Sequence, residues 1–183
     1  DGAQYISFEG VARVARYPRP DGRAEVLPRP RAFRTLPLNK SLETLAIDQH
    51  GHLYTLPERA LDKQGQIPVW RWDGQRWSRP FGLTPKGSFL PVDADFGPDG
   101  RFYLLERDLT LLGFRSQLRR FDITADGPVN EVTLLQTRAG THDNLEGLSI
   151  WRARDGGLRA TMVSDDNFLS LQRTELVEYA LPR

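Results

Sequence analysis

Three stretches of the 183-residue chain decide how it folds: SLETLAIDQHGHLYTLPER (residues 41–59), LPVDADFGPDGRFYLLERD (residues 90–108) and NLEGLSIWRARDGGLRATMVSDD (residues 144–166). Each opens near an acid, runs through a short apolar strand, turns at a glycine, continues through a second apolar strand and closes on an acid. Gly51 and Gly100 are 49 residues apart, and Glu43 and Glu146 are 103 apart. The closing acids Glu58, Glu106 and Asp165 are spaced by 48 and 59 residues. Glu9 lies 49 residues before Glu58, so it reads as a further closing acid. Its setting, Phe8-Glu9-Gly10-Val11, reads equally as an opening one. A period of roughly 50 residues holding four short strands is the pattern of a β-propeller blade.

The segments around these stretches fill the outer blade positions. PVWRWDG (68–74) and RWSRPFGL (76–83) complete the first full blade, and QLRRFDI (117–123) and NEVTLLQT (130–137) complete the second. QYISFEG, VARVARY and RAFRTLPL (31–38) belong to an incomplete first blade, and ELVEYAL (175–181) ends a last blade that lacks its outermost strand. The expected innermost strands include residues 45–48, 94–97 and 148–151. Residues 109–117, LTLLGFRSQ, fit a short helical turn or a long strand. No extended stretch has apolar residues at helical spacing, whereas Asp-Gly pairs in WDGQRW and PDGR mark hairpins. The fold class is therefore all-β, a partial propeller of about three and a half four-stranded antiparallel blades. The whole of 1–183 is expected to be one domain with blade boundaries near residues 40, 91 and 143. Such an arc is expected to need the remainder of its own chain or a second copy to close the ring, since open sheet edges invite aggregation.

Composition narrows the function classes. There are 25 Lys+Arg against 24 Asp+Glu, a formal charge of +1, which argues against nucleic acid as a partner. The absence of cysteine excludes a disulfide framework, thiolate catalysis and Cys-ligated zinc. No run of about 20 apolar residues could span a membrane as a helix. Gly-x-Ser-x-Gly, Walker and dinucleotide fingerprints do not occur. Asp93-Ala94-Asp95 before Asp99-Gly100 fails as an EF-hand, because Gly97 and Leu104 stand where ligands are required.

NKSLETLA, DADFGPDGRFYLLERD, DNLEGLS and VSDDNF, in that order, resemble the bacterial phytase-like family known as "esterase-like activity of phytase". ISFEGVARVARY is similar to that family's middle section, so the resemblance covers the C-terminal half to two-thirds of a typical member. The resemblance implies a β-propeller, export to the periplasm or medium, and hydrolysis of a phosphoester or ester by water with metal assistance. A small-molecule ester or phosphate is the ligand it implies. Two other readings stand beside it: a non-catalytic propeller that binds a ligand or protein, and a lactonase-like propeller that uses calcium. The family favours Glu-Gly at the start of a blade; this chain has Ser41-Leu42-Glu43-Thr44 and Val92-Asp93-Ala94 there.

The residues themselves suggest where chemistry could sit. Opening acids Glu43, Asp93, Asp95 and Glu146 are expected around one mouth of the channel, where converging carboxylates suit a hard cation, above all calcium. Their alternative role is to bond backbone amides of neighbouring blades. The closing acids Glu58, Glu106, Asp165 and Asp166 are secondary metal candidates, with an Asx turn at Asn167 as the alternative for the last pair. Arg107 is expected to pair with these acids. His142, Asp143 and Glu146 are the catalytic candidates, His142 as general base with Asp143 fixing it. His50 and His52 flank Gly51 in a turn whose tip points outward. Trp70, Trp72 and Trp77 are expected to pack rather than stack a ligand.

Overall fold

The computed structural model describes residues 2–37 and 41–182. Asn39 and Lys40 of the NKSLETLA segment, and the blade boundary expected near residue 40, lie outside the described residues. The chain divides into two compact units, residues 1–84 and 85–183.

The first unit holds two antiparallel sheets. One is β1 (Gln4–Phe8), β2 (Arg13–Tyr17) and β3 (Glu25–Val26). The other is β4 (Leu42–Ile47), β5 (Leu53–Pro57), β6 (Ile67–Trp72) and β7 (Trp77–Leu83), paired in chain order. Its core gathers Val14, Phe33, Leu42, Leu53, Trp70 and Trp72. Phe33 meets the rings of Trp70 and Trp77 edge-on at 5.2 and 5.1 Å, so the tryptophans pack, as expected. One expectation fails here: RAFRTLPL is not a strand. Residues Arg31–Thr35 form a 3-10 helix, and Phe33 is its one buried residue. Pro30 and Pro37 bracket it and cannot donate to a ladder, and a single apolar anchor is all the core takes from it.

The second unit also holds two antiparallel sheets. One is β8 (Leu90–Phe96), β9 (Phe102–Thr110), β10 (Gly113–Thr124) and β11 (Gly127–Gln136); the other is β12 (Leu145–Arg152), β13 (Leu158–Ser164) and β14 (Leu176–Ala180). The stretch LTLLGFRSQ is a hairpin: β9 and β10 pair up to Thr110 and Gly113 and turn at Leu111 and Leu112. Val92, Tyr103, Leu105, Leu118, Leu145, Ile150 and Met162 form one core across both sheets.

The repeat is repeated in hydrogen bonds. In the turns beginning at Asp48, Gly97 and Ala153, the first amide donates to the carbonyl four residues on, and the glycine amide donates back to the first carbonyl, all within 2.8–3.0 Å. Gly51, Gly100 and Gly156 all have φ between +76 and +81°, the left-handed conformation this three-residue hairpin loop requires. Substituting any one by Ala is expected to cost about 1–2 kcal/mol, read as a lower urea midpoint at unchanged slope; an unchanged midpoint would contradict the turn's role.

Each innermost strand also carries a β-bulge at the same place. Pairing skips Glu43 in β4, Val92 in β8 and Glu146 in β12. Glu43 and Glu146 are thus equivalent, but their counterpart in the middle repeat is Val92. Asp93 corresponds to Thr44 and Gly147, and Asp95 to Ala46 and Ser149. The closing positions shift likewise: Glu58 and Asp165 match Arg107, not Glu106. Glu9 behaves as a closing acid, because its carboxylate accepts the Ser41 amide at 3.2 Å, just as Arg107 reaches Asn144 in the second unit.

Candidate functional site

In the second unit, antiparallel alternation brings the starts of β10, β12 and β14 and the ends of β9, β11 and β13 to one end of the sheets, the opening face. Three loops meet there. Gly113, Phe114, Gly140, His142, Asp143 and residues 171–173 line a pocket of about 380 Å³. His142 sits just ahead of β12, and its Nε2 lies 2.6 Å from the Tyr179 hydroxyl of β14. Its Nδ1 is 3.8 Å from Glu175 Oε1. That carboxylate oxygen also accepts the Asp143 amide at 2.5 Å. Asp143 does not touch the imidazole through any of these bonds; its carboxylate accepts the amides of Asn144 at 2.9 Å and Arg173 at 2.8 Å, tying the two loops together. The loop of residues 165–175 is closed at its neck by Glu175 N and Ser164 Oγ at 2.8 Å.

Glu146 lies in a separate polar cluster. Its Oε1 accepts Asn144 Nδ2 at 2.7 Å and pairs with Arg107 at 3.2 Å, while Arg107 also donates to Asn144 Oδ1 at 2.5 Å. Arg107 therefore pairs with an opening acid, and Asn144, fully buried, is the hinge between them.

The remaining acids are placed as follows. Asp93 Oδ2 accepts the Leu148 amide at 2.6 Å and Asp95 Oδ2 the Ile150 amide at 2.7 Å, so β8 is stitched to β12 through side chains. These are the bonds of the amide-pairing alternative. Burial raises both carboxyls, Asp93 to about 7, against the lowering effect of the amides of Leu148 and Ala94. Glu106 is enclosed with Arg119 inside its own sheet. Asp165 and Asp166 cap Asx turns to Asn167 and Phe168 at 2.9 Å. Glu58, buried, and Glu43, half-buried, belong to the first unit. In that unit Asp48 pairs with the His52 ring at 3.0 Å and accepts the amides of His50 and His52. Among the described residues no three His, Asp or Glu side chains gather in a group that could hold a metal ion.

The Asp93 shift fixes a pH dependence. A carboxyl whose folded-state value lies above its ordinary 3.8 binds its proton better in the folded protein, so the contribution of Asp93 to stability is fully present below about 3.8 and is lost as pH rises towards about 7. Asp93→Asn keeps an acceptor and removes the charge. The variant is expected to gain on the wild type between pH 4 and pH 8, by about 4 kcal/mol at most. Parallel stability profiles for the two proteins would contradict this.

The sequence singles out His142 and Asp143, and the structure brings Glu175 and Tyr179 beside them. Their alternation with Val177 in ELVEYAL, placing all three on one side of a strand, was the available signal.

A blade-built fold with a loop-lined pocket at its opening face places the protein among β-propeller domains. The family pattern described as phytase-like, "Esterase-like activity of phytase", matches residues 1–168, and the chain belongs to that family. Among solved structures it is similar to an endo-arabinase from Bacteroides thetaiotaomicron, with 12% identity over 97% of this chain and 69% of that one and a TM-score of 0.58. The β-propeller domain of Nup133 from Vanderwaltozyma polyspora matches at 12% identity over 96% of this chain and 62% of that one, with a TM-score of 0.42. At such identity the likeness to the endo-arabinase is one of fold alone. No curated protein matches in sequence. Among the described residues no helix is long and apolar enough to cross a membrane.

Proposed function

We propose that the protein hydrolyses an ester bond, carboxylic or phosphoric, in the pocket at the opening face of the second unit, with water as the nucleophile. The observation that carries this reading is a histidine lining a pocket with a carboxylate beside one ring nitrogen and a phenol on the other. Glu175 near Nδ1 favours the tautomer that carries its proton there, which leaves Nε2 as the acceptor. Nε2 takes a proton from water as that water displaces the Tyr179 hydroxyl; the hydroxide oxygen attacks the carbonyl carbon or phosphorus, and the alcohol departs with the proton. Arg173, exposed and on the pocket wall, faces the charge that develops on the substrate oxygen. Asp143 is a positioning residue, holding His142 and Arg173 on loops that would otherwise move apart.

Family membership supports an ester or phosphoester as the bond. Calcium, favoured by the number of opening acids, enters as a separate proposal. The test is release of nitrophenol from p-nitrophenyl butyrate and from p-nitrophenyl phosphate, each with calcium and with a chelator. Turnover of either ester supports the reading, and its loss on chelation would make calcium part of it. No turnover of either under any condition would leave a non-catalytic binding propeller.

A further inference from the structure

A second cavity adjoins the first. It measures about 750 Å³, and its walls include Leu111, Leu112, Thr137, Ala139, Arg115 and Arg138. Gly113 and Gly140, which line the first cavity, directly follow Leu112 and Ala139, which line the second. Gly140 donates its amide to Phe114 O at 2.8 Å, and a Cβ on Gly140 would sit 3.1 Å from Leu112 O. A Cβ on Gly113 would lie 3.4 Å from Gly140. Both glycines have positive φ, +108° and +74°, so the crossing is built for close backbone approach.

The larger cavity is widely open to solvent, and its lining is mostly apolar. Leu111 and Leu112 stand at the hairpin tip fully in water, and on the facing loop Leu171 lines the His142 pocket equally exposed. Large apolar side chains held together in solvent mark a binding surface. Its charge is also uneven. Arg115 is engaged by Asp108 at 2.7 Å and lies over Phe89, but Arg138, exposed on the same wall, has no salt-bridge partner among the described residues. Volume, apolar lining and a few placed polar groups are what a small-molecule site needs.

We infer that this cavity binds an anionic amphiphile, its apolar chain against Leu111, Leu112 and Ala139 and its charged group facing Arg138. The inference goes beyond the hydrolase reading, and rests on it only in adding that a fatty carboxylate released from the scissile ester would be such a ligand.

Calorimetry with decanoate, decyl phosphate, decanol and butyrate, below their micellar concentrations, tests it. Decanoate or decyl phosphate is expected to bind, the tighter of the two naming the head group, and butyrate not to bind. Leu111→Ser/Leu112→Ser, two exposed positions whose change leaves the core intact, is expected to weaken binding about tenfold or more. Arg138→Gln should weaken the charged ligands roughly fivefold and leave decanol unchanged. Unchanged affinity in the double variant, decanol binding as tightly as the anions, or no binding at all would overturn the inference. His142→Ala should bind decanoate as the wild type does. A protein that binds decanoate but hydrolyses no ester would therefore sink the hydrolase reading while leaving this one standing.

Discussion

Arg119→Leu is expected to lower the unfolding free energy by about 3–5 kcal/mol, the cost of leaving a buried charge without its partner. The side chains of Arg119 and Glu106 are both wholly inaccessible, and their contact is two-pronged, 2.6 Å from Nη2 to Oε1 and 2.7 Å from Nε to Oε2. Gln117 Nε2 adds a bond to Glu106 at 2.9 Å, and Arg119 reaches Glu131 at 3.2 Å, which in turn holds Lys86 at 3.0 Å. The network spans β9, β10 and β11 through the middle of one sheet, where neighbouring positions are Leu104, Leu105 and Leu118. Removing the arginine strands Glu106 in that apolar setting. Replacing both ends, Glu106→Leu with Arg119→Leu, should recover much of the loss, since well-packed apolar side chains replace buried ion pairs with little penalty. Urea unfolding at constant slope reads both effects. A double variant less stable than either single one would show that the network is worth more than packing, contrary to this account.

His142→Ala should lower kcat/KM for a p-nitrophenyl ester by about 10²–10⁴-fold, the usual worth of a positioned general base. Stability should fall by about 1–3 kcal/mol, because the imidazole is largely buried and its removal leaves the Tyr179 hydroxyl without that partner, so activity is compared at a temperature where both proteins are folded. Glu175→Gln keeps the shape and the hydrogen-bond acceptor but removes the charge beside Nδ1, and a loss of about tenfold in kcat at similar KM is expected from the weaker hold on the imidazolium. Tyr179→Phe tests the displacement step. If the phenol only competes with water for Nε2, its loss is neutral or raises the rate; a fall of a hundredfold would make Tyr179 itself a proton carrier.

The blades were legible because strands, Asp-Gly turns and the spacing of Gly51 and Gly100 are all local signals. Residues 31–35 were misread because their tertiary role, a single phenylalanine seated under Trp70, has no period to detect. The acids were aligned with one another rather than by strand register. The bulges, which fall at the same place in all three strands, set that register and match Glu43 and Glu146 to Val92, so aligning acid with acid slid the middle repeat by one or more places. That slip made Asp93 and Asp95 look like partners of Glu146, when their carboxylates serve the amides of β12. Glu106 and Arg119 lie on adjacent strands 13 residues apart, and His142 and Tyr179 are 37 apart; both pairs depend on strand register, which the sequence does not state. His142 and Asp143 stood out because a histidine and a carboxylate are adjacent in a loop, where sites are often built.

The chain has three histidines, His50, His52 and His142. This permits a direct test of the claim that the opening-face pocket is where the ester is handled. Ring-proton NMR of the three, assigned by single His→Ala variants, can be followed while an alkyl phosphonate mimic of the hydrolytic transition state is added. The account predicts that the His142 resonances move in a saturable way while those of His50 and His52, held on the Asp48 turn, stay fixed. Saturable movement of His50 or His52 with His142 unmoved, or no movement of any ring at saturating mimic, would contradict it.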